Sequence, residues 1–275
     1  MLVAGLLFGC MGVFVKLGAQ HFSNVELVFY RSFIGLLFVY ALSPRGASLA
    51  SPLWKGHLWR GISGSISLLL FFYCITVLPL AAAVTLNYTA PLFLTILTVV
   101  VLKDRFHPAL TSAILIGFGG TALLLQPTLE RDQLLPGLLG LLSGLFAGIA
   151  MLNVRQLGVK GEPEWRIVFY FSLIATLASG AIMLGGTMHM VGLRDLAILL
   201  ALGASATLAQ LAMTHAYSTG KTLVAGSLSY STVIFASLFG MLLWEEDLPL
   251  AGWSGIALII AGGVLSLRLA PKRNL

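Results

Sequence analysis

Charged residues are scarce in this sequence: Asp, Glu, Lys and Arg make up 9% of its 275 residues, whereas hydrophobic residues make up 58%. Soluble domains carry about a quarter charged residues, so the scarcity excludes an ordinary soluble domain. A membrane-spanning helix needs about 20 apolar residues, and the sequence holds ten long apolar runs with short connections between them. We therefore predict a single membrane domain over residues 1–275.

Cysteines and metal-ligand clusters are also scarce. Cys10 and Cys74, the two cysteines, lie inside apolar runs, so we expect packed thiols and no disulfide framework. The sequence has no Cys/His cluster with metal-site spacing, no phosphate-binding loop and no basic and aromatic patch for nucleic acid. We expect no metal, no cofactor and no nucleic-acid partner.

Carboxylates are missing from the centres of the apolar runs. Asp104 lies at the end of the fourth run, and Glu245, Glu246 and Asp247 lie at the end of the ninth. A buried acid is the usual proton carrier of coupled transporters. The sequence therefore gives no support to proton coupling through a carboxylate in the core.

The ten apolar runs are predicted to be membrane-spanning helices, with Pro and Gly between them. Backbone polar groups in lipid must be satisfied within the segment, which favours helices. The expected spans are residues 2–20, 24–42, 57–77, 79–101, 108–125, 135–157, 165–185, 192–216, 221–244 and 249–268.

The second five runs repeat the first five. A shift of 142 residues places Leu86 on Leu228 and Tyr88 on Tyr230. Because five is an odd number, the two copies must cross the membrane in opposite directions, as in many secondary transporters. The predicted fold is an all-α integral membrane protein of ten transmembrane helices. It forms two inverted five-helix repeats, residues 1–127 and 133–275, around a central cavity.

Lys and Arg are concentrated on one side of the predicted spans. Twelve of the sixteen fall on the side that carries both termini: Arg45, Lys55, Arg60, Lys103, Arg105, Arg155, Lys160, Arg166, Lys221, Arg268, Lys272 and Arg273. Only Arg131 and Arg194 fall on the other side. Cytoplasmic loops carry the excess of these residues, so we expect a multi-pass protein of the bacterial inner membrane with both termini in the cytoplasm.

Polar residues interrupt spans four and nine at matching positions. Such groups at lipid depth need partners or water, and we predict that the two stretches face each other across the central cavity. Tyr88 and Tyr230 would form flat walls, Asn87 and Ser229 would supply hydrogen bonds, and Pro91 would be a bend point. In the alternative interpretation, the hydroxyls bond to their own helices and the tyrosines pack between helices.

Spans three and eight contribute further candidates for the cavity lining: Tyr73, Ser205 and Thr207. Packing between helices is the alternative role for each of them. Spans one and six are rich in glycine, with Gly5, Gly9 and Gly12 in one and Gly140, Gly144 and Gly148 in the other. Small residues at this spacing indicate closely packed helices.

Lys16 and Arg31 are charged residues inside predicted spans, and Glu26 lies between them on the chain. A charge at mid-membrane costs about 3 kcal/mol and marks a candidate functional site. We expect the three to form a charge cluster on the outer side. Two interpretations stay open for the cations: long side chains that reach the interface, or a site for a substrate carboxylate or a gate.

A catalytic alternative comes from Gly61-Ile62-Ser63-Gly64, which has the G-x-S-G form of rhomboid-type intramembrane serine proteases. A serine nucleophile needs a base within hydrogen-bond reach. His215 is the sole candidate base inside the spans. In a helix this rich in Gly and Ser, a chance match is the simpler explanation of the pattern.

The first two spans and the closing helix of each repeat resemble those of a known family. The positions concerned are Leu6, Leu7, Phe8, Gly9, Lys16 and Arg31; Leu102, Lys103, Asp104 and Arg105 before Ile114, Gly117, Gly119 and Gly120; and Leu243, Trp244, Glu245 and Glu246 before residues 255–264. On these residues the whole chain resembles ten-helix, EamA-type members of the drug/metabolite transporter superfamily. One departure is Lys103-Asp104, where the family carries a glycine-glutamate pair.

The resemblance implies two five-helix halves around a central cavity, with the termini inside. Family members export amino acids and other metabolites, or move drugs and nucleotide derivatives. A compact cavity with aromatic residues is similar to that of bacterial exporters of aromatic and other hydrophobic amino acids. We therefore predict a secondary transporter rather than an enzyme. It would export small metabolites by alternating access, aromatic and hydrophobic amino acids first.

A multidrug or nucleotide-derivative transporter of the same fold is the alternative function, and an intramembrane protease using Ser63 is the distant one. The expected partners are a small-molecule substrate and the lipid bilayer, and no obligatory protein partner is implied.

Overall fold

The computed structural model describes residues 1–78, 80–103, 105–125, 133–185, 189–245 and 248–269. Asp104, Arg131, Glu246, Asp247, Lys272 and Arg273, which figured in the sequence analysis, lie outside the described residues. All regular secondary structure in the described ranges is helical. In chain order the helices are α1 Leu2–Gly18, α2 Asn24–Leu42, α3 Trp54–Val77, α4 Leu80–Asn87, α5 Ala90–Val100, α6 Pro108–Leu125, α7 Leu134–Val159, α8 Glu164–Met183, α9 Leu193–Thr219, α10 Thr222–Ser229, α11 Ser231–Trp244 and α12 Leu250–Leu269.

The helix boundaries lie within three residues of the predicted spans, with α4 and α5 together filling the fourth span and α10 and α11 the ninth. Within the described ranges, eight helical stretches are long and apolar enough to cross a membrane. Helix α1, with 17 residues, is shorter than these eight. The all-helical membrane class predicted from the sequence is confirmed.

Spans four and nine are each broken in the middle, and the same side-chain hydrogen bond lies at each break. Thr89 Oγ1 donates to the carbonyl of Leu86 at 2.5 Å, and Ser231 Oγ donates to the carbonyl of Leu228 at 2.7 Å. Hydroxyls that bond back in this way bend helices. The 142-residue shift relates the two pairs. Pro91, in the first turn of α5, adds to the first break because it has no N–H to continue the helix.

Helices from the first half of the chain pack mainly on helices from the second half. The principal pairs are α1 with α9 and α11, α2 with α8 and α9, α3 with α7 and α8, α5 with α7, and α6 with α12. Helices α1 to α6 of the first half correspond in order to α7 to α12 of the second half. This set of pairs is unchanged when each helix is exchanged with its counterpart. A buried cluster joins Leu94 of α5, Leu152 of α7 and Tyr217 of α9, so the core lies between the halves.

An ion-pair network closes one face of the bundle. Glu162, between α7 and α8, accepts a hydrogen bond from Arg166 Nη1 at 2.8 Å and lies 3.0 Å from Nε2 of buried His57. Burial raises the pKa of the Glu162 carboxyl, but the hydrogen bonds from Arg166 and His57 outweigh it and leave the pKa below its usual value. Arg166 also donates to the carbonyl of Ser48 at 2.9 Å, which ties the α2–α3 and α7–α8 connections together.

On the opposite face, Glu26 in the first turn of α2 bonds to the α8–α9 connection. Its carboxylate accepts a hydrogen bond from the backbone N–H of His189 at 2.7 Å and lies 2.9 Å from the Nδ1 of the same residue. The Nζ of Lys16, near the end of α1, lies 4.0 Å from the centre of the Trp244 ring at the end of α11. The two faces therefore carry different connections, each tied across the halves.

Candidate functional site

The two broken spans meet at the tyrosines that the repeat relates. The ring centres of Tyr88 and Tyr230 are 6.1 Å apart with an angle of 35° between the planes. Tyr230 is fully buried, and its hydroxyl has no hydrogen-bond partner in the described structure. Pro91 lies against Gly226 of α10, where an added Cβ would be 3.4 Å from the Pro91 Cβ. The ring contact closes the space between the two breaks in this conformation.

Glycines of α1 and α7 allow close approach to these breaks. A Cβ at Gly144 would lie 2.8 Å from the carbonyl oxygen of Leu86 and would overlap the hydroxyl of Thr89. A Cβ at Gly5 would lie 2.5 Å from the hydroxyl of Ser231. In both halves a glycine therefore packs on the hydroxyl at the break of the opposing helix. By contrast, a Cβ at Gly12 would meet nothing within 4 Å.

The polar neighbours of the tyrosines bond within the protein. Asn87 Nδ2 donates to Ser143 Oγ on α7 at 3.1 Å, and Ser229 Oγ donates to the carbonyl of its own helix at Gly226, at 2.7 Å. Ser205 and Thr207 likewise donate to carbonyls of α9. The hydroxyls are therefore bonded to their own helices, whereas the Asn87 amide is bonded across the interface between the halves.

Tyr73 lies on the outside of α3, with 45% of its surface exposed. Lys16 and Glu26 lie at the face described above, next to Trp244 and His189. Arg31, the third residue of the expected charge cluster, instead extends into the interior of the bundle.

Arg31 lines a small cavity where α2 meets α8 and α9. The residues around the cavity are Arg31, Ser32, Phe171, Ser172, Ala206, Thr207 and Gln210. Its volume is about 10 Å³, the size of about one water molecule. Arg31 is 8% exposed, and its Nε, like Ser32 Oγ and Gln210 Nε2, has no hydrogen-bond partner in the described structure. Two buried N–H donors and one hydroxyl therefore converge here without hydrogen-bond partners in the described structure.

Arg60 stands beside this site, and the sequence analysis missed it by counting it as a charge flanking a span. It lies in α3, is 3% exposed, and its guanidinium is 4.2 Å from the centre of the Phe171 ring. Its Nε and Nη1 have no partner among the described residues, and its charge repels that of Arg31. A signal was available: Arg60 lies inside the predicted span 57–77 with no Asp or Glu within four residues.

The described carboxylates nearest these helices are engaged elsewhere: Glu26 with Ser23 and His189, Glu162 with His57 and Arg166, and Glu164 with His215. Two buried arginines thus share the interface between the halves without a counter-charge from the described chain. Burying an unpaired charge costs several kcal/mol, so this arrangement is a liability for folding.

The serine of the G-x-S-G pattern is bonded to its own helix. Ser63 Oγ donates to the carbonyl of Trp59 at 2.7 Å. His215, the candidate base, has its Nδ1 2.6 Å from the carboxylate of Glu164. The structure therefore pairs Ser63 and His215 with other groups.

Polar groups between two interleaved helical halves are typical of secondary transporters, and comparison with known proteins agrees. The EamA-like transporter family matches residues 1–126 and 135–268. The pseudopaline exporter of Pseudomonas aeruginosa is 31% identical over 264 residues, covering 96% of this chain and 90% of that protein. The riboflavin transporter of Vibrio cholerae is 26% identical over 287 residues, covering 100% of this chain and 93% of that protein.

A crystal structure with 21% sequence identity superposes with a TM-score of 0.85, covering 97% of this chain and 95% of that one. This likeness shows the fold, and the sequence matches show the family. The chain belongs to the EamA-like transporter family. It is a multi-pass membrane transporter, as the sequence predicts.

Proposed function

We propose that this chain is a secondary transporter that exports a small organic metabolite by alternating access between its two halves. The observation that carries the proposal is the contact of Tyr88 with Tyr230 at the breaks of the fourth and ninth spans. Broken helices near the midplane are typical of transporter substrate sites. Here they come from opposite halves, so movement of one half against the other would open the space between them.

An inverted repeat of ten spans, residues 1–127 and 133–275, is the architecture that best explains this contact. Its support is the set of helix pairs that stays the same when counterparts are exchanged. Further support comes from the equivalent hydroxyl bonds at Leu86 and Leu228. In such an arrangement the inward-open and outward-open conformations are related by the two halves exchanging their roles.

The bacterial inner membrane, with both termini in the cytoplasm, is the proposed location. The α2–α3 and α7–α8 connections lie on one face, joined through Arg166. Arg45, Lys55, Arg155, Lys160 and Arg166 flank these two connections, and such an excess of Lys and Arg marks that face as cytoplasmic. Outward transport then moves solute from the face of Glu162 to the face of Glu26. The 31% identity to a protein named as an exporter supports this direction.

Amino acids, aromatic and hydrophobic ones first, are the substrates to test first, because tyrosine rings suit flat apolar side chains. A transporter of larger flat solutes is the second candidate function, and the similarity to riboflavin transporters favours it. The same ring pair would stack on an isoalloxazine or nucleobase ring. The two candidates differ in the volume that the opened site must offer.

Efflux from proteoliposomes tests the proposal. Liposomes containing the purified protein are loaded separately with radiolabelled phenylalanine, threonine, riboflavin or pseudopaline. We expect efflux of at least one solute faster than from protein-free liposomes. Tyr88→Ala should slow it about two- to tenfold, because an aromatic contact is worth about 0.5–1.5 kcal/mol beyond its buried area.

Tyr40→Ala is the matched control, because Tyr40 is 58% exposed on α2 and loses the same ring away from the proposed pathway. It should transport at the wild-type rate. If no tested solute leaves faster than from protein-free liposomes, the transport proposal is wrong. Equal rates for wild type and Tyr88→Ala would remove Tyr88 from the pathway.

A further inference from the structure

The interior of this transporter holds more positive charge than its own side chains balance. Arg31 on α2 and Arg60 on α3 are both more than nine-tenths buried. The Nε of Arg31, and the Nε and Nη1 of Arg60, have no hydrogen-bond partner in the described structure. Folding alone does not favour such a pair, because each buried charge is costly and the two repel. A ligand that binds there during the transport cycle would account for both buried arginines.

The neighbouring groups specify the chemistry of that group. The unpartnered nitrogens around the cavity, Arg31 Nε and Gln210 Nε2, are donors, and the unpartnered hydroxyl of Ser32 can donate as well. A ligand that satisfies them must present acceptors, and beside two guanidinium groups it must carry negative charge. Guanidinium groups favour carboxylate and phosphate oxygens through paired hydrogen bonds.

We propose that Arg31 and Arg60 bind an oxyanion group of the transported solute, a carboxylate or a phosphate, between the two halves of the molecule. This inference rests on the proposed transport function and names the substrate class of that pathway. Phe171 holds the Arg60 guanidinium over its ring, which positions that charge. Ser172, Thr207 and Gln210 belong to the other half, so the bound group is shared between the parts that move.

The position of the site fits transport rather than anchoring at a surface. Arg31 is seven residues into α2 and Arg60 is six residues into α3, about 10 Å from the helix ends at 1.5 Å per residue. The two helices enter from opposite faces, so both side chains reach the inner part of the bundle. The cavity of about 10 Å³ is too small for a solute, and in this conformation the halves are therefore closed on the site.

Binding of simple oxyanions to the purified protein tests the proposal without requiring transport. The Tm is measured in detergent with succinate or glycerol 1-phosphate, and with the uncharged analogues succinamide and glycerol, at one ionic strength set with chloride. We expect succinate, glycerol 1-phosphate or both to raise the Tm with concentration, as ligands of the native state do. The neutral analogues should leave it unchanged. A response to succinate alone identifies a carboxylate site, and a response to glycerol 1-phosphate alone identifies a phosphate site.

Arginine variants identify the residues. Arg31→Gln and Arg60→Gln should lose the response to the oxyanion, whereas Arg45→Gln, which removes an exposed charge from the α2–α3 connection, should keep it. Without ligand, Arg31→Gln should have a Tm at or above that of the wild type, because an unpaired buried charge has been removed. If Arg31 had a purely structural role, Arg31→Gln would instead lower the Tm. Where a Gln variant does not fold, the Lys variant keeps the charge and should retain a weaker response.

The proposal is overturned if no oxyanion raises the Tm, if the neutral analogues act equally, or if both Gln variants respond like the wild type. Its failure is separable from that of the transport function. Solute efflux that is insensitive to Arg31→Gln removes the oxyanion site and leaves the transporter intact. An oxyanion response in a protein that moves none of the tested solutes keeps the site and rejects the transport assignment.

Discussion

At the scale of single residues, Lys103 and Glu245 share an unusual backbone conformation. Both have φ of 54°, they follow α5 and α11, and the 142-residue shift relates them. This left-handed conformation disfavours side chains with a Cβ, and glycine adopts it readily. The departure from the family's glycine at position 103 thus has a physical consequence: this chain accepts strain there that a glycine would not have.

Lys103→Gly should therefore stabilise the protein by about 1 kcal/mol, a rise in Tm of about 2–4 °C. Thermal unfolding of the detergent-purified protein, followed by tryptophan fluorescence, measures it. Lys103→Ala removes the same exposed charge but keeps a Cβ, so its Tm should not rise. Equal rises in the two variants would mean that charge, and not backbone conformation, sets the effect.

Single residues also mark the limit of what the sequence could predict. Arg31 was recognised because it lies well inside a span, and the sequence left open whether it reached the interface or bound a substrate. Arg60, closer to a span end, looked like an ordinary flanking charge, and only helix packing shows that it is buried against Phe171. Burial of a long side chain depends on what neighbouring helices place around it, which periodicity does not encode.

At the scale of helices, boundaries followed closely from apolar runs and proline positions, because lipid imposes both the length and the helical state. The break in the fourth span was predictable from Pro91. The break at Tyr230 has no proline, and Ser231 bonds back to the carbonyl of Leu228 there. A serine in an apolar run looks the same in the sequence whether its helix is broken or continuous. The sequence therefore could not predict the break in the ninth span.

The glycines of α7 give a prediction at this scale. Gly144→Ala should destabilise the protein by about 1–3 kcal/mol, because the new methyl group would lie 2.8 Å from the carbonyl oxygen of Leu86 and backbone cannot move aside. The Tm of the purified variant measures the loss. Gly12→Ala is the matched control on α1, since its Cβ meets nothing within 4 Å, and the higher helix propensity of alanine should leave its Tm unchanged or raised.

A Gly144→Ala variant as stable as Gly12→Ala would show that α7 can shift away from the break. The close packing of α7 on α4 and α5 would then not fix the geometry of the fourth span. Packing other than that of α7 would then have to hold Tyr88 against Tyr230.

At the scale of the whole molecule, the halves are interleaved, so transport requires contacts between them to open. Gly35 on α2 and Thr207 on α9 face each other across the closed site, and a Cβ at position 35 would lie 4.0 Å from the Cβ of Thr207. Disulfides have Cβ separations of about 3.5–4.5 Å. A cysteine pair at these positions would hold α2 of one half against α9 of the other.

The most direct test of alternating access is solute efflux from proteoliposomes with this pair oxidised and then reduced. The double variant Gly35→Cys and Thr207→Cys is made with Cys10 and Cys74 replaced by alanine, and the single variants are controls. The account predicts that oxidation stops efflux in the double variant alone, and that a reducing agent restores it. Efflux at the same rate from the cross-linked and the reduced protein would contradict movement of the halves at this site.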